Sequence, residues 1–292
     1  MTTRCLTLAP VMAALGLATA PAAAEPLRNG GKLLLTNGIS SIEGASGGGL
    51  TPWATIAGNE TRDGIGASAH ATIVELKDYD YQSAGISVGL FDRVELSFAR
   101  QDFNTNEIGG ALGLGNDYAF GQDIFGAKVK LAGDLVYDAP LMPAIAVGVQ
   151  YKKSRNDAVV RLLGATDDDG IDYYLSATKL FLSRSILVNA TVRLTKANQN
   201  GLLGYGGDRN DDYSVQFEGS MAWQLSRRLA IGGEYRTKPN NLGVAKEDDW
   251  FDAFAAYAVN RHLTATVAYA DLGSIATIDK QRGVLFSLQA AF

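Results

Sequence analysis

Ionisable residues recur on one side of short segments in which apolar residues occupy every second position. Lys128, for example, stands between Ala127 and Val129. Charges in such places serve either ion pairing or the lining of a polar path for ions or solutes. Positions two residues apart share a face only in an extended strand. The set comprises Glu95, Lys128, Lys130, Lys152, Arg193, Glu218, Glu234 and Arg236.

A second candidate for chemistry is His70, which shares a strand face with Ser68 and Thr72. A histidine beside a serine is the beginning of a hydrolytic site. No acid partner is identifiable, and geometry rather than proximity in sequence defines such sites. A polar histidine inside a fold is far commoner, so we expect no catalytic residue and no enzyme. His262 adjoins a predicted turn and is expected to be solvated.

Acidic and glycine-rich loops are the remaining candidates. Residues 167–172 hold four aspartates, but they lack the alternating acids and final Glu of a calcium loop, so we expect no metal and no cofactor. The glycine clusters 109–115 and 201–207 precede no helical pattern and do not predict a phosphate site. We expect mobile or inward-folding loops whose leucines constrict a mouth or contact a hydrophobic solute: Leu112, Leu114, Leu202 and Leu203.

Strands of about ten residues must position these groups. The last segment, residues 283–292, places Val284, Phe286 and Leu288 on one face and small or polar residues on the other. A strand with one apolar face is the repeating unit of a membrane-spanning barrel. A Lys or Arg that faces lipid at the midplane costs on the order of 2–4 kcal/mol. We therefore expect the eight charged residues to face the lumen, where they either pair and fill it or line an aqueous path.

The predicted strands number twelve, and the connections between them alternate in length. Short connections such as 226–227 and 260–261 alternate with long ones such as 196–212 and 237–249, which is typical of bacterial barrels. The predicted fold is all-β: a transmembrane antiparallel up-and-down barrel over residues 59–292. Residues 25–58 are rich in glycine and form either a lumenal plug or two more strands, for a total of fourteen. Pro52 lacks a ladder donor and favours the insert.

The first residues predict export. Residues 1–24 combine one positive charge, a short apolar core and an Ala-x-Ala site, as in a cleaved secretory signal peptide. Its removal takes away Cys5, the one cysteine, and lowers Lys plus Arg from 26 to 25 against 31 Asp plus Glu, a net charge of −6. An acidic chain predicts no nucleic-acid partner. The rest of the sequence has no run of about 18 apolar residues, so we expect no transmembrane helix.

Four blocks of sequence resemble those of a family of proteobacterial outer-membrane proteins known only as a domain of unknown function. They are residues 30–36, residues 42–44 with 47–54, residues 90–96 and residues 128–134. The resemblance spans nearly the whole mature chain and implies a barrel in the bacterial outer membrane, without an activity. The terminal strand, which ends on Phe292, resembles the assembly signal of such barrels, although Ala290 stands where an aromatic residue is more usual.

These observations lead to two functional hypotheses. The first is a passive, porin-like channel for small solutes, lined by the eight charged residues. The second is a non-conducting structural or binding protein whose lumen is plugged by residues 25–58. The expected partners are outer-membrane lipid and lipopolysaccharide, the barrel-assembly machinery through the C-terminal strand, and a small solute.

Overall fold

The computed structural model describes residues 31–136, 138, 141–276 and 278–292. The predicted signal peptide, residues 1–24, lies outside the described residues, as do residues 25–30. None of the helices in the described part of the chain has the length and apolar character to cross a membrane.

Twelve antiparallel strands form one closed barrel, as the alternation predicts. Two short paired strands precede it, β1 (Ile39–Ser40) and β2 (Ser46–Gly47). Each barrel strand pairs with its neighbours in sequence, and the last pairs with the first, with Ser287 opposite Thr72. The barrel strands are β3 (Ile65–Leu76), β4 (Asp80–Leu90), β5 (Val94–Asn104), β6 (Ala119–Ala132), β7 (Ala144–Ser154), β8 (Asp169–Phe181), β9 (Ile186–Thr195), β10 (Ser214–Ser226), β11 (Leu229–Arg236), β12 (Trp250–Ala258), β13 (Leu263–Asp271) and β14 (Arg282–Ala291).

Alternation along each strand separates an apolar exterior from a polar interior. In β14, Phe286 is 54% exposed on the outside, whereas Ser287 beside it is 6% exposed and faces inward. Aromatic rings pack across neighbouring strands on the exterior, as Phe98 and Phe125 do at a centroid distance of 5.0 Å. An apolar wall of this kind is stable in lipid because closure leaves no strand edge unpaired.

The two ends of the barrel differ in the length of their connections. Most connections at one end, which we call the inner end, are short turns such as residues 182–185 and 227–228, although the connection from β6 to β7 spans residues 133–143. Long loops lie at the other, the outer end, since bacterial barrels carry long loops outside the cell. At the outer end, only the connection from β3 to β4, residues 77–79, is short. The outer loops span residues 105–118, 155–168, 196–213, 237–249 and 272–281, and they contain two short helices, α1 (Asn106–Ala111) and α2 (Asp157–Leu162).

Residues 31–58 lie inside the barrel and are called the plug. From residue 39 to residue 58 every side chain is buried. The plug begins at the inner end, where Lys32 Nζ lies 3.2 Å from Asp92 of the β4–β5 turn. It also ends there, because the Asn59 amide donates to the carbonyl oxygen of Phe292 at 2.9 Å. Residues 31–58 therefore add no strand to the wall.

Candidate functional site

The interface between the plug and the barrel wall brings together the eight charged residues singled out from the sequence. All eight lie on inward faces of the strands, and each is between 0% and 8% exposed. Six contact the plug directly, whereas Glu218 pairs with Arg193 and Arg236, and Lys130 pairs with Asp92 at the inner end. In this state they face protein groups rather than water.

Glu43 of the plug is the centre of an ion cluster in the outer half of the lumen. Its carboxylate lies 2.9 Å from Arg193 Nη2 and 3.1 Å from Arg236 Nη1, and it also pairs with Lys152. These cations come from β9, β11 and β7, on separate parts of the wall. One carboxylate thus fastens the plug to three strands.

Two carboxylates of the wall complete the cluster. Asp172 lies 2.8 Å from Lys152 Nζ and 3.2 Å from Arg193 Nη1. Glu218 lies 2.5 Å from Arg193 Nε and 3.3 Å from Arg236 Nε. Three acids and three bases balance, which satisfies the requirement that buried charges be paired. Removal of one partner from a buried pair leaves an uncompensated charge and costs about 3–5 kcal/mol.

The loop after β9 folds inward and covers the ion cluster from the outer side. Asn200 Oδ1 accepts hydrogen bonds from Lys152 Nζ at 2.9 Å and from Arg236 Nη2 at 2.8 Å. Gln199 and Asn200 have left-handed backbones, with φ of 44° and 62°. Non-glycine residues adopt this conformation at a cost of order 1–3 kcal/mol, so the surrounding contacts must hold it in place.

Glu95 and Lys128 bind the middle of the plug. They stand opposite each other on β5 and β6, with Lys128 Nζ 3.1 Å from Glu95 Oε1. Lys128 donates to the carbonyl oxygens of Ser46 and Trp53 at 2.9 and 3.2 Å. Glu95 accepts from the amides of Ser46 at 3.0 Å and Ala57 at 2.8 Å. The pair therefore satisfies buried backbone groups of the plug, which require hydrogen-bond partners.

Glu234 binds the glycine run of the plug. Its carboxylate accepts from the Leu50 amide at 2.7 Å and from the hydroxyl groups of Thr51 and Ser220 at 2.6 and 2.9 Å. A Cβ atom on Gly48 would overlap this carboxylate. The glycine at this position thus permits the close approach of plug backbone to wall.

Neutral side chains of the wall satisfy further backbone groups of the plug. The carbonyl oxygen of Ile42 accepts from Ser83 Oγ and Gln101 Nε2, both at 2.7 Å. The Ala54 amide donates to Thr178 Oγ1 at 2.8 Å, and the Ser40 amide donates to Gln289 at 2.6 Å. Buried backbone groups outside regular structure require such partners. The plug is therefore held mainly by polar contacts with side chains.

The inner end has a separate group of charges. Lys130 pairs with Asp92, which also lies 3.2 Å from Lys32 of the plug. Lys32 Nζ donates to the carbonyl oxygen of Ile56 at 2.7 Å. This contact joins the first and last parts of the plug beside the turn between β4 and β5.

The other chemical candidates have structural partners. His70 is buried, and its Nε2 lies 3.2 Å from Ser83 Oγ, while Ser68 is hydrogen-bonded to Ser87. The ring of His262 stacks on Phe292, with centroids 5.1 Å apart. Among the described residues, no group of three or more His, Cys, Asp or Glu side chains is placed to hold a metal ion.

An apolar chamber of about 230 Å³ lies between the plug and the outer loops. Ile42 and Leu50 of the plug form its floor. Its remaining surface combines strand residues with loop residues, including all four leucines singled out from the glycine clusters: Val74, Tyr79, Tyr81, Phe103, Thr105, Leu112, Leu114, Phe120, Val159, Leu162, Leu163, Gln199, Leu202, Leu203, Leu242, Val244, Ala245, Trp250, Ala270, Leu272, Ile275, Ala276 and Leu285.

A buried ion pair lies behind one wall of the chamber. Lys238 Nζ is 2.8 Å from Glu247 Oε2 and 4.3 Å from the centroid of the Trp250 ring. Gln199 contacts both charged groups. Its side-chain Oε1 accepts from Lys238 Nζ, and its backbone N–H donates to Glu247 Oε1. Burial lowers the pKa of the Lys238 ammonium and raises the pKa of the Glu247 carboxyl. Both groups are therefore less stable in their ionised forms in the folded loop than in water.

These shifts predict how the loop of residues 237–249 responds to substitution. Glu247→Gln leaves the ammonium of Lys238 without its counter-charge and should lower the local stability of the loop by roughly 1–3 kcal/mol. The double variant Lys238→Met/Glu247→Gln removes both desolvated charges and should lie within about 1 kcal/mol of the original chain. Hydrogen exchange of the backbone amides in this loop measures both effects. A double variant less protected than the single one would contradict this account.

The sign of the pH dependence follows from the raised pKa of Glu247. The folded chain binds the proton of this carboxyl more tightly than the unfolded chain does. The stability of the folded loop therefore falls as the pH rises, from the ordinary pKa of a glutamate carboxyl through the raised pKa of Glu247 in the folded chain. The double variant should lack this pH dependence in its loop protection.

One family model matches residues 36–289, and its description is protein of unknown function, DUF3034. The chain belongs to this family. The DUF3034 match covers the barrel strands and most of the plug, including Glu43 and its three cationic partners. None of the curated proteins compared with the chain matches it.

Solved structures with a similar fold are outer-membrane barrels. The KdgM porin superimposes on the DUF3034 chain with a TM-score of 0.51 at 12% identity, over 77% of this chain and 99% of that one. The COG4313 outer-membrane channel from Pseudomonas putida F1 gives 0.48 at 11% identity, over 81% and 96%. Outer membrane phospholipase A from Escherichia coli, an enzyme, gives 0.44 at 8% identity, over 88% and 98%. The KdgM match shows the fold alone, and a porin-like barrel of twelve strands implies the outer membrane.

Two members of the DUF3034 ion cluster were not among the candidates from the sequence. Glu43 is the one acidic residue of the plug, and that isolation in a segment of small and apolar residues was a usable signal. Asp172 follows three aspartates at residues 167–169, and its sequence context did not distinguish it from those loop residues. Its place at the start of β8, one residue after Ile171, distinguishes it as an inward-facing residue.

Proposed function

We propose that this protein is a transport barrel of the outer membrane that its plug keeps closed at rest, and that a small solute passes only when the plug moves. The observation that carries the proposal is the position of the plug, whose Glu43 binds cations from three strands inside the lumen. An open passive channel requires water beside the lumenal charges. Here those charges contact the plug, which favours a closed resting state over a permanently open pore.

The nature of the contacts supports a plug that moves. Outside the short β1–β2 pair, the plug joins no sheet, and wall side chains satisfy many of its backbone groups. Water replaces such polar contacts at moderate cost when it enters the lumen. A barrel strand has no comparable route out of the wall, because lipid offers its backbone no partner. Displacement of the plug therefore costs less than displacement of a barrel strand.

The proposal includes the surroundings of the barrel. The apolar exterior is in contact with lipid and, at the outer end, with lipopolysaccharide, and β14 is presented to the barrel-assembly machinery. Residues 1–24 direct export as a cleaved signal peptide. No catalytic step is part of this function.

A reversible tether between plug and wall tests the proposal. Ala54 of the plug packs against Ala144 and Ala146 of β7, and the chain has no cysteine after Cys5. A disulfide forms only between residues whose Cα atoms are close neighbours. Because Ala54 packs against both alanines, we expect the variants Ala54→Cys/Ala144→Cys and Ala54→Cys/Ala146→Cys to form one. In planar bilayers the unmodified chain should be mostly closed, with brief openings at raised voltage. Oxidation of a tethered variant should reduce those openings at least tenfold, and reduction should restore them.

The single variant Ala54→Cys is the matched control, and its openings should not respond to oxidation. Steady conductance of the unmodified chain at low voltage would overturn the proposal in favour of a passive channel. Openings that persist in a verified tethered variant would also overturn it, because solutes would then pass without movement of the plug. Silence of the reduced chain at every voltage would instead indicate a permanently closed binding or structural protein.

A further inference from the structure

We propose that the outer chamber is a binding site for one small, neutral, apolar molecule about the size of a monocyclic aromatic hydrocarbon. This inference goes beyond the proposed transport function, because the site is complete with the plug in place and does not require the plug to move. Three properties of the chamber carry it: the chemistry of its lining, its volume and its opening to the outer surface.

The lining is suited to a neutral ligand. Aliphatic and aromatic side chains dominate it, and none of the described residues that line it is charged. Two of its hydroxyl groups have partners, since Thr105 donates to the carbonyl oxygen of Tyr118 at 2.7 Å and Tyr79 donates to that of Ile275 at 3.3 Å. The Tyr81 hydroxyl and the Trp250 indole N–H have no hydrogen-bond partner among the described residues, and both are neutral groups that require no charge on a ligand. An ionised ligand would lose its hydration without compensation, whereas an apolar one gains from leaving water.

The volume selects a small molecule. Apolar cavities of about 150 Å³ in proteins stay dry and bind benzene, and sites for drug-sized ligands begin at about 300 Å³. A chamber of about 230 Å³ lies between these sizes. It accommodates a benzene ring with a short substituent and is too small for a phospholipid or a lipopolysaccharide.

The opening of the chamber is apolar as well. Leu162 is 82% exposed, and Val244 and Leu112 are also exposed, yet all three line the same chamber as the buried Leu202 and Leu203. Exposed apolar residues that are continuous with a buried pocket mark a binding site more often than chance packing. The strands β3, β4 and β12 separate the chamber from lipid, so a ligand enters between the outer loops.

Tryptophan fluorescence provides a direct test with bromobenzene, whose bromine quenches a nearby indole. Trp250 lines the chamber and is 4% exposed, whereas Trp223 faces lipid and Trp53 lies in the plug. The variant Trp223→Phe therefore reports on Trp250 against the background of Trp53. We expect saturable quenching of about half its fluorescence, with a dissociation constant on the order of 1 mM or tighter. Toluene, which does not quench, should compete.

The variant Trp223→Phe/Trp250→Phe is the matched control and should show no saturable quenching. Ala245→Phe in the Trp223→Phe background fills the chamber from its loop side and should weaken binding at least tenfold, whereas the exposed Ala111→Phe should leave it unchanged. Quenching that rises linearly in both tryptophan variants, without competition by toluene, would overturn the proposal, because it would reflect partition of the probe into detergent. These measurements need no conductance, so their outcome is independent of the test of the plug.

Discussion

Deletion of residues 31–58 should turn a closed barrel into one that conducts continuously. The plug fills the lumen, and twelve strands enclose enough space for an aqueous path once it is removed. The wall residues of the ion cluster keep their mutual pairs, since Asp172 still meets Lys152 and Glu218 still meets Arg193. Water then solvates the charged atoms that lose their contacts with the plug. In planar bilayers we expect open probability to rise from near zero to near one.

A charge substitution in the deletion variant distinguishes lumenal current from leakage around a damaged barrel. Lys152→Gln removes one positive charge from the lumen wall and should shift the reversal potential under a salt gradient toward cation preference. The exposed substitution Lys246→Gln provides a control of the same chemistry. A deletion variant that folds but stays silent would show that the outer loops alone close the barrel. A reversal potential that Lys152→Gln leaves unchanged would show that the current does not cross the lumen.

The substitution Glu43→Gln should produce the largest loss of stability among single changes in the plug. It keeps the shape of the side chain but removes the one plug charge that meets Lys152, Arg193 and Arg236. Three buried cations then face two carboxylates. We expect a loss of about 3–5 kcal/mol in the free energy of unfolding, or release of the plug if the barrel persists without it.

Denaturant unfolding in detergent micelles, together with proteolysis of the plug, measures this effect. Glu107→Gln, the same chemical change on the exposed surface of α1, should remain within about 0.5 kcal/mol of the original chain. Glu43→Asp, which retains the charge with a shorter reach, should fall between them. A Glu43→Gln variant as stable and as protease-resistant as Glu107→Gln would contradict the assigned role of the carboxylate.

The wall of the barrel was predictable because lipid and lumen impose a strict period of two on every strand. A slip of one residue would expose charges to lipid, so the boundaries follow from the pattern. The strand predicted at 283–292, for example, is observed as Arg282–Ala291. Pro52 favoured twelve strands over fourteen but left both open, and the structure has twelve.

The internal partners of the charged residues were not predictable in the same way. Arg193 and Glu43 are separated by 150 positions in sequence, and the plug has no periodicity that would indicate which of its atoms meet which strand. Inward orientation follows from the cost of exposing a charge to lipid, whereas pairing depends on how the loops and plug pack. The chamber is a further case, since Leu202 and Leu203 suggested an apolar mouth but gave no volume.

The bond between Ser40 and Gln289 has a consequence for biogenesis. These residues lie 249 positions apart, and Gln289 belongs to the strand whose pairing with β3 completes the cylinder. A contact of such long range forms late, after the entropy of a very large loop has been lost. We therefore expect the plug to dock on β14 only when that strand is in place, so that closure of the wall and closure of the lumen are coupled steps of assembly.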